Sequence, residues 1–456
     1  MKKHWIYPLA FVLGIGLCTT ACGDDEPEGE TTEQGPGGGE EGGGGGSTEL
    51  PVATAEQAQA KLDQVGKALI QKVDVQRLEP VISLLDYCTA IFGMEDEAEM
   101  TPGVSDGNAY GMRSLMQTLR LGTQGDIARL ASKRAIGDVY EISQLHGEWA
   151  YDDNTGEWEQ IAGPGEREAA FYRFNYDGQE ALLTLQGSGQ VFDFVKTDSL
   201  GNEGSETIKI PANVSCGLSL GGQTMLHLTV NTTACSYAAK EYAASATLGA
   251  ADYTVKADMD YNNASATVSA TLFSGREQLA SIDCTVDGSN LADIDLIESG
   301  YFDAESNLHN GVLTYNLLDE VELQVGVNNQ DGFVEAFDYE SYYYYSASDT
   351  VGSLESVREA ARQEAQQAAD IINRDLKAQL AFNGSEYTVP VTWQPTLDDY
   401  TYDDPMYGYS YGYWYNDPVL NFADGATYTF EQYFTVARFE SLIQVYNELA
   451  QQFKEM

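Results

Sequence analysis

Two segments concentrate side chains able to hold a ligand. Residues 335–349 (EAFDYESYYYYSASD) carry five of the chain's 29 tyrosines, and residues 398–418 (DDYTYDDPMYGYSYGYWYNDP) carry seven more together with Trp414. The second segment also holds five aspartates and neither lysine nor arginine. Aromatic faces can stack on sugar rings while carboxylates accept the sugar hydroxyls, and carboxylates can also gather round Ca2+. The candidate ligand-binding residues are therefore Tyr400, Tyr402, Asp403, Asp404, Tyr407, Tyr409, Tyr411, Tyr413, Trp414 and Asp417. These acids lack the regular spacing of an EF-hand loop, which makes Ca2+ the weaker candidate. The Pro, Gly and Asp content of 398–418 points to an exposed loop. Tyr342 to Tyr345 also suit a strand with alternate rings on opposite faces. The plainer alternative is that the rings simply pack over a sheet edge.

Of the common catalytic signatures, H-E-x-x-H, a P-loop and C-x-x-C do not occur in the sequence. Paired carboxylates for glycoside cleavage carry no signal among 71 acidic residues. His146, His227 and His309 stand singly, so no zinc-type ligand set is evident and no metal site is expected. The net charge of −47 argues against nucleic acid and anionic membrane surfaces as partners, since both are held by basic patches. The leading expectation is a non-catalytic protein that binds a glycan or another extracellular ligand. The alternatives are a carrier of an apolar ligand in a cavity between sheet and helices, or a hydrolase with unrecognised carboxylates.

The chain opens with Lys2 and Lys3, an apolar run from Trp5 to Leu17, and small residues ending at Ala21-Cys22, the three parts of a secretory signal peptide. That run is too short to span a bilayer, and no other segment approaches about 18 consecutive apolar residues. Leu17-Cys18-Thr19-Thr20-Ala21-Cys22-Gly23 resembles a bacterial lipobox, with Cys22 as the lipid attachment residue because Leu17 is too large to precede a processed Cys18. Gly23-Asp24-Asp25-Glu26 resembles the acidic export signal of Bacteroides-type surface lipoproteins. The resemblance implies an outer membrane lipoprotein, held by acyl chains and facing the extracellular side. Residues 24–49, rich in Gly, Glu, Asp and Thr, cannot fold and form a tether of roughly 28 Å.

The elements behind these segments divide the chain into a signal peptide (1–21), a lipidated tether (22–49), a helical region (50–137) and a β-sheet region (138–345). A last region (346–456) joins a long helix, the Tyr/Asp-rich loop and a C-terminal helix. The expected class is α+β: an antiparallel meander with one face covered by helices, flanked by N-terminal and C-terminal helices. Thr54 and Gln57 form a capping box ahead of Leu62, Val65 and Leu69, a second helix is expected to start at Pro80, and residues 111–136 suit a further helix.

Trp149 and Trp158 flank a four-residue hairpin turn, in a pattern that resembles hairpins of Bacteroides-type lipoproteins. In the meander, a two-residue turn at Asn262-Asn263 would pair Tyr261 with Ala264 and Met259 with Ala266, and the next turn would align Val268 with Ile282 and Ala266 with Cys284. Its alanine-rich inner face suits the alanine-rich helix expected from Ser353 to Phe382. Phe439, Leu442, Ile443, Tyr446, Leu449 and Phe453 mark the last helix. Besides Cys22, the thiols Cys88, Cys216, Cys235 and Cys284 allow three pairings, of which Cys216 to Cys235 closes the shortest loop and is the first expectation. Asp198-Ser199-Leu200 and Asp349-Thr350-Val351 resemble a bacterial O-glycosylation sequon.

Overall fold

The computed structural model describes residues 50–92 and 139–455, apart from 164, 197–205, 294–295, 297–303, 330–331, 347–351, 384–386, 399–401 and 405–407. The signal peptide, Cys22, the tether, the helix expected at 111–136 and both sequon-like triplets lie outside the described residues. Strand accounts for 52% and helix for 27%, so the fold is mainly one large, mostly antiparallel sheet rather than an even mixture.

Helix α1 (Ala55–Gln71) starts where the capping box places it. Thr54 Oγ1 accepts from the Gln57 N–H at 3.2 Å, and Gln57 Oε1 accepts from the Thr54 N–H at 2.9 Å. Helix α2 (Val75–Ile91) begins five residues before the expected Pro80. Pro80 costs one intrahelical bond there, and burial of Val75 and Leu78 keeps the preceding turn helical.

The strands follow as β1 (Val139–Glu141), β2 (Gly147–Asp152), β3 (Glu157–Ala162), β4 (Ala170–Tyr176), β5 (Gln179–Lys196), β6 (Glu206–Leu220) and β7 (Gln223–Ser236). Next come β8 (Glu241–Ala250), β9 (Tyr253–Asn262), β10 (Ser265–Ser274), β11 (Glu277–Gly288), β12 (Leu308–Leu317), β13 (Val321–Asn328) and β14 (Ser341–Ser346). Helix α3 (Leu354–Asp375) precedes β15 (Leu376–Phe382), β16 (Tyr387–Leu397), β17 (Tyr402–Asp404), β18 (Tyr409–Asn421) and β19 (Thr427–Thr429), and α4 (Glu440–Glu455) ends the chain.

Neighbours in space run β3, β2, β4, then β5 to β13 in sequence order, then β15, β16 and β18. The parallel pairs are β2 with β4 and β1 with β6. The hairpin of Trp149 and Trp158 forms as expected, with Tyr151 opposite Trp158.

The meander keeps the expected faces but not the expected register. Tyr261 faces Ala266, Met259 faces Val268, Ala266 faces Val286 and Val268 faces Cys284, each a slip of two residues. Asn262 causes the slip between β9 and β10: its Oδ1 accepts from the N–H groups of Ala264 at 2.9 Å and Ser265 at 3.0 Å, so that turn takes four residues instead of two. The pairing of β10 with β11 carries a register shift of its own between Leu272 and Phe273. A slip of two leaves every side chain on its original face.

One row of the apolar face runs Cys216, Leu228, Leu248, Val255, Leu272, Ala280, Leu317 across seven strands. Helices α1, α2 and α4 supply the apolar side chains packed on this end. Four residues further along β9 and β10 the face is open, with Met259 and Val268 each 42% exposed and nearby Ile282 40% exposed.

Helix α3 does not cover the meander, contrary to expectation; Ala361, Ala365, Ala368 and Ile372 are buried where it packs on β14, β16 and β18. It also stops at Asp375 rather than Phe382, because Leu376 is already extended (φ −111, ψ 124) and opens β15 between β13 and β16. The sheet therefore continues beyond residue 345.

The two ends of the described chain are stitched together. Ala53 donates to the Thr388 carbonyl, Ala423 donates to the Ala53 carbonyl, both at 2.9 Å, and Tyr433 Oη donates to the Ala55 carbonyl at 2.9 Å. Gly66 lets α1 and α4 approach closely, since a Cβ there would lie 2.8 Å from Leu442 Cδ1. Among the described residues no helix is long and apolar enough to cross a membrane.

The expected Cys216–Cys235 bridge is corrected: Cys88, Cys216, Cys235 and Cys284 are all free thiols. Cys216 sits opposite Leu228, and Cys235 lies seven places further along β7, about 23 Å away at strand rise. Cys88 of α2 shares a core with Cys216. Burial, with the Cys216 thiol adding to it, pushes Cys88 up to about 12, and burial pushes Cys216 up to about 12, so both stay protonated and unreactive.

Candidate functional site

The second tyrosine-rich segment is a strand from Tyr409 onward, not the loop its glycines and prolines suggest. Tyr and Trp favour a pleated surface, and β18 finds partners on both edges. Trp414 pairs with Ser341 of β14 on one side and Leu397 of β16 on the other.

Tyr342 stands opposite Tyr413, Tyr344 opposite Tyr411, and Ser346 opposite Tyr409. Strand alternation then gathers Tyr342, Tyr344, Tyr409, Tyr411, Tyr413 and Tyr415 on one face. Their rings form a shelf: centroids are 5.2 Å apart for Tyr342 and Tyr413, 6.2 Å for Tyr344 and Tyr409, 6.4 Å for Tyr409 and Tyr411, and 6.2 Å for Tyr413 and Tyr415. Tyr342 is 68% exposed, Tyr344 61% and Tyr411 47%, so the ring faces meet water.

The other face of the same strands is propped by α3. Ser341, Tyr343, Ser410 and Gly412 are buried there. Arg358 Nε donates to Tyr343 Oη at 3.0 Å, with its guanidinium 5.3 Å from the ring centroid. Glu364 accepts from Ser341 Oγ at 2.8 Å and from Tyr339 Oη at 3.1 Å. The shelf is thus held by polar contacts beneath it, which keep its strands fixed without using the exposed rings.

Carboxylates border the shelf. Tyr342 Oη donates to Glu340, a bond that raises the Tyr342 hydroxyl above its ordinary range. A hydrogen bond to Asp398 pushes the Tyr413 hydroxyl up to about 12. Asp398 is held in turn by its N–H, which donates to the Tyr413 carbonyl at 3.1 Å. Asp417 is raised by partial burial, with the charge of Glu431 adding to it.

The candidates named from sequence divide accordingly. Tyr409, Tyr411 and Tyr413 belong to the shelf. Tyr402, Asp403 and Asp404 form β17, whose backbone pairs with Tyr411, Ser410 and Tyr409 and so lies beside it. Tyr400 and Tyr407 lie outside the described residues. Trp414 is corrected: alternation turns it to the helix side, where its Nε1 is buried without a hydrogen-bond partner. Glu340, Asp398, Tyr342, Tyr344 and Tyr415 lie within the two segments but are not among the candidates named from sequence. The alternation Tyr342, Tyr344 against Tyr409, Tyr411, Tyr413 is the signal that would have found the tyrosines.

Among the described residues no group of three or more His, Cys, Asp or Glu is placed to hold a metal ion. Comparison of the chain with protein-family models, with curated proteins and with solved structures found no match in any of the three.

Proposed function

We propose that this chain is a non-catalytic, lipid-anchored protein of the outer membrane, facing outward, whose α+β body binds a glycan on the tyrosine shelf. The observation that supports the reading is the row of exposed rings on a face backed by α3. Aromatic surface of this size is costly to leave in water unless a ligand covers it, and flat rings at this spacing suit the apolar faces of successive sugars.

Replacing Tyr342, Tyr344 and Tyr411 together by alanine is expected to weaken glycan binding by about 2 to 4 kcal/mol, measured on a glycan array and by calorimetry. The melting temperature should stay close to wild type, because all three rings are exposed. A variant that binds as well as wild type, or an array with no ligand for the wild-type protein, would sink the reading. Anchoring is tested separately: Cys22→Ser should abolish labelling by a palmitate analogue and release the protein from membranes, and persistent labelling would remove Cys22 from that role.

A second reading, a carrier of an apolar ligand, is favoured by the open strip of Met259, Val268 and Ile282 on the apolar sheet face. Saturable binding of a fluorescent fatty acid that survives the three tyrosine replacements would move the function to that strip.

A further inference from the structure

The surroundings of the shelf are one-sided in charge. Both tyrosine-rich segments, 335–349 and 398–418, contain no lysine or arginine, and the chain as a whole carries −47. Arg358, which does approach this region from α3, lies against Tyr343 on the opposite face.

On the ligand side, Glu340 and Asp398 hold the hydroxyls of Tyr342 and Tyr413, whose rings are neighbours at 5.2 Å. A carboxylate offers about four acceptor positions and a tyrosine hydroxyl fills one, so each acid keeps capacity for a second donor. Ring faces carry negative quadrupole density and attract a cation placed over them within about 6 Å. Two adjacent rings with a carboxylate at each hydroxyl therefore make a place where positive charge is favoured from the rim and from beneath. A sulfate or uronate would instead meet like charge on every side.

We infer that the ligand of this shelf is a glycan bearing free, protonated amino groups, with sugar faces on Tyr344, Tyr409 and Tyr411 and an ammonium near Tyr342, Tyr413, Glu340 and Asp398. The inference rests on the glycan reading above and narrows it to amino sugars that are not N-acylated. An N-acetyl group removes the charge while leaving the ring faces intact, so acetylation separates the electrostatic contribution from stacking.

The test uses the full chain and calorimetry at about pH 6, above the usual carboxylate range and below the usual amine range. The probes are a glucosamine hexamer, its fully N-acetylated counterpart, a hexauronate and hexalysine. The glucosamine hexamer should bind at least tenfold tighter than the acetylated one at low salt, and the margin should shrink in high salt as screening grows. Replacing both acids (Glu340→Gln with Asp398→Asn) should bring the two hexamers to within about twofold of each other, and a margin that persists at tenfold would overturn the role of these acids. Equal affinity for the two hexamers in the wild-type protein would overturn the charge selection and leave the stacking shelf standing. Hexalysine binding as tightly as the glucosamine hexamer would overturn the sugar specificity. Binding of neither sugar, or tightest binding of the hexauronate, would overturn the inference outright; the tyrosine replacements then show whether any glycan reading survives.

Discussion

Tyr433→Ala is expected to destabilise the protein by about 4 kcal/mol, seen as an earlier midpoint in urea unfolding. Its side chain is fully buried, and its ring meets Phe422 at 5.0 Å, Phe434 at 5.2 Å, Phe439 at 5.8 Å and Tyr428 at 5.9 Å between centroids. The hydroxyl donates to the Ala55 carbonyl at the start of α1. Tyr433→Phe keeps the ring and removes the hydroxyl's hydrogen bonds to the Ala55 carbonyl and with Arg438, so about 1 to 2 kcal/mol should be lost. Coincident midpoints for the alanine variant and wild type would show that this cluster does not join the two ends of the chain.

The second large effect tests the meander. Ala266 is 6% exposed between Tyr261 and Val286, so Ala266→Asp should bury an acid without a partner and cost about 3 kcal/mol or force it to stay protonated. Thr267 is exposed opposite Asp260, and Thr267→Asp should cost only about 0.5 kcal/mol from like charges across the strands. If the two variants melt at the same temperature, Ala266 does not stand on the covered face of β10.

Those two residues show why faces were legible in the sequence and register was not. Alternation over Tyr253 to Tyr261 and Ala264 to Leu272 fixes parity, and any even slip satisfies it equally well. Only the turn decides among even slips, and the side-chain bonds of Asn262 that lengthen it depend on a conformation no hydropathy pattern encodes.

Local hydrogen-bond chemistry was legible where it is self-contained, as in the reciprocal bonds of Thr54 and Gln57. It failed where two periods coincide. Leu376 and Leu380 are four apart, a spacing that lies on one stripe of a helix and equally on one face of a strand, and pairing with β13 chose the strand. Cysteine pairing failed for a related reason: closeness in sequence is not closeness in space when the intervening residues run straight along β7.

The tyrosines of the candidate site were legible as residues; the strand at Tyr342–Tyr345 was legible from its alternation, and only the segment from Tyr409 onward was misjudged as a loop. Gly and Pro argued for a loop because their preferences are local, whereas β18 finds a partner on each edge, β16 from the segment before it and β14 from much earlier in the chain, on the far side of α3. Trp414 shows the consequence, since only a strand separates it from Tyr413 and Tyr415 by turning it to the opposite side. Glu340 and Asp398 were hidden among 71 acids until pairing brought them to the shelf.

The stitching of the chain's ends bears on when the protein can fold. Ala55 and Tyr433 are separated by 378 positions, so α1 leaves the ribosome long before the strands and aromatic cluster that receive it exist. Until then its apolar stripe has nothing to dock on, and a lone 17-residue helix is marginal in water. Closing so long a loop also delays completion of the native state after the central hairpins have paired. The order of events is thus built into the topology: the meander, whose strands pair with their neighbours in sequence, can form early, whereas the docking of α1 must wait for the last strands and is the step that completes the molecule.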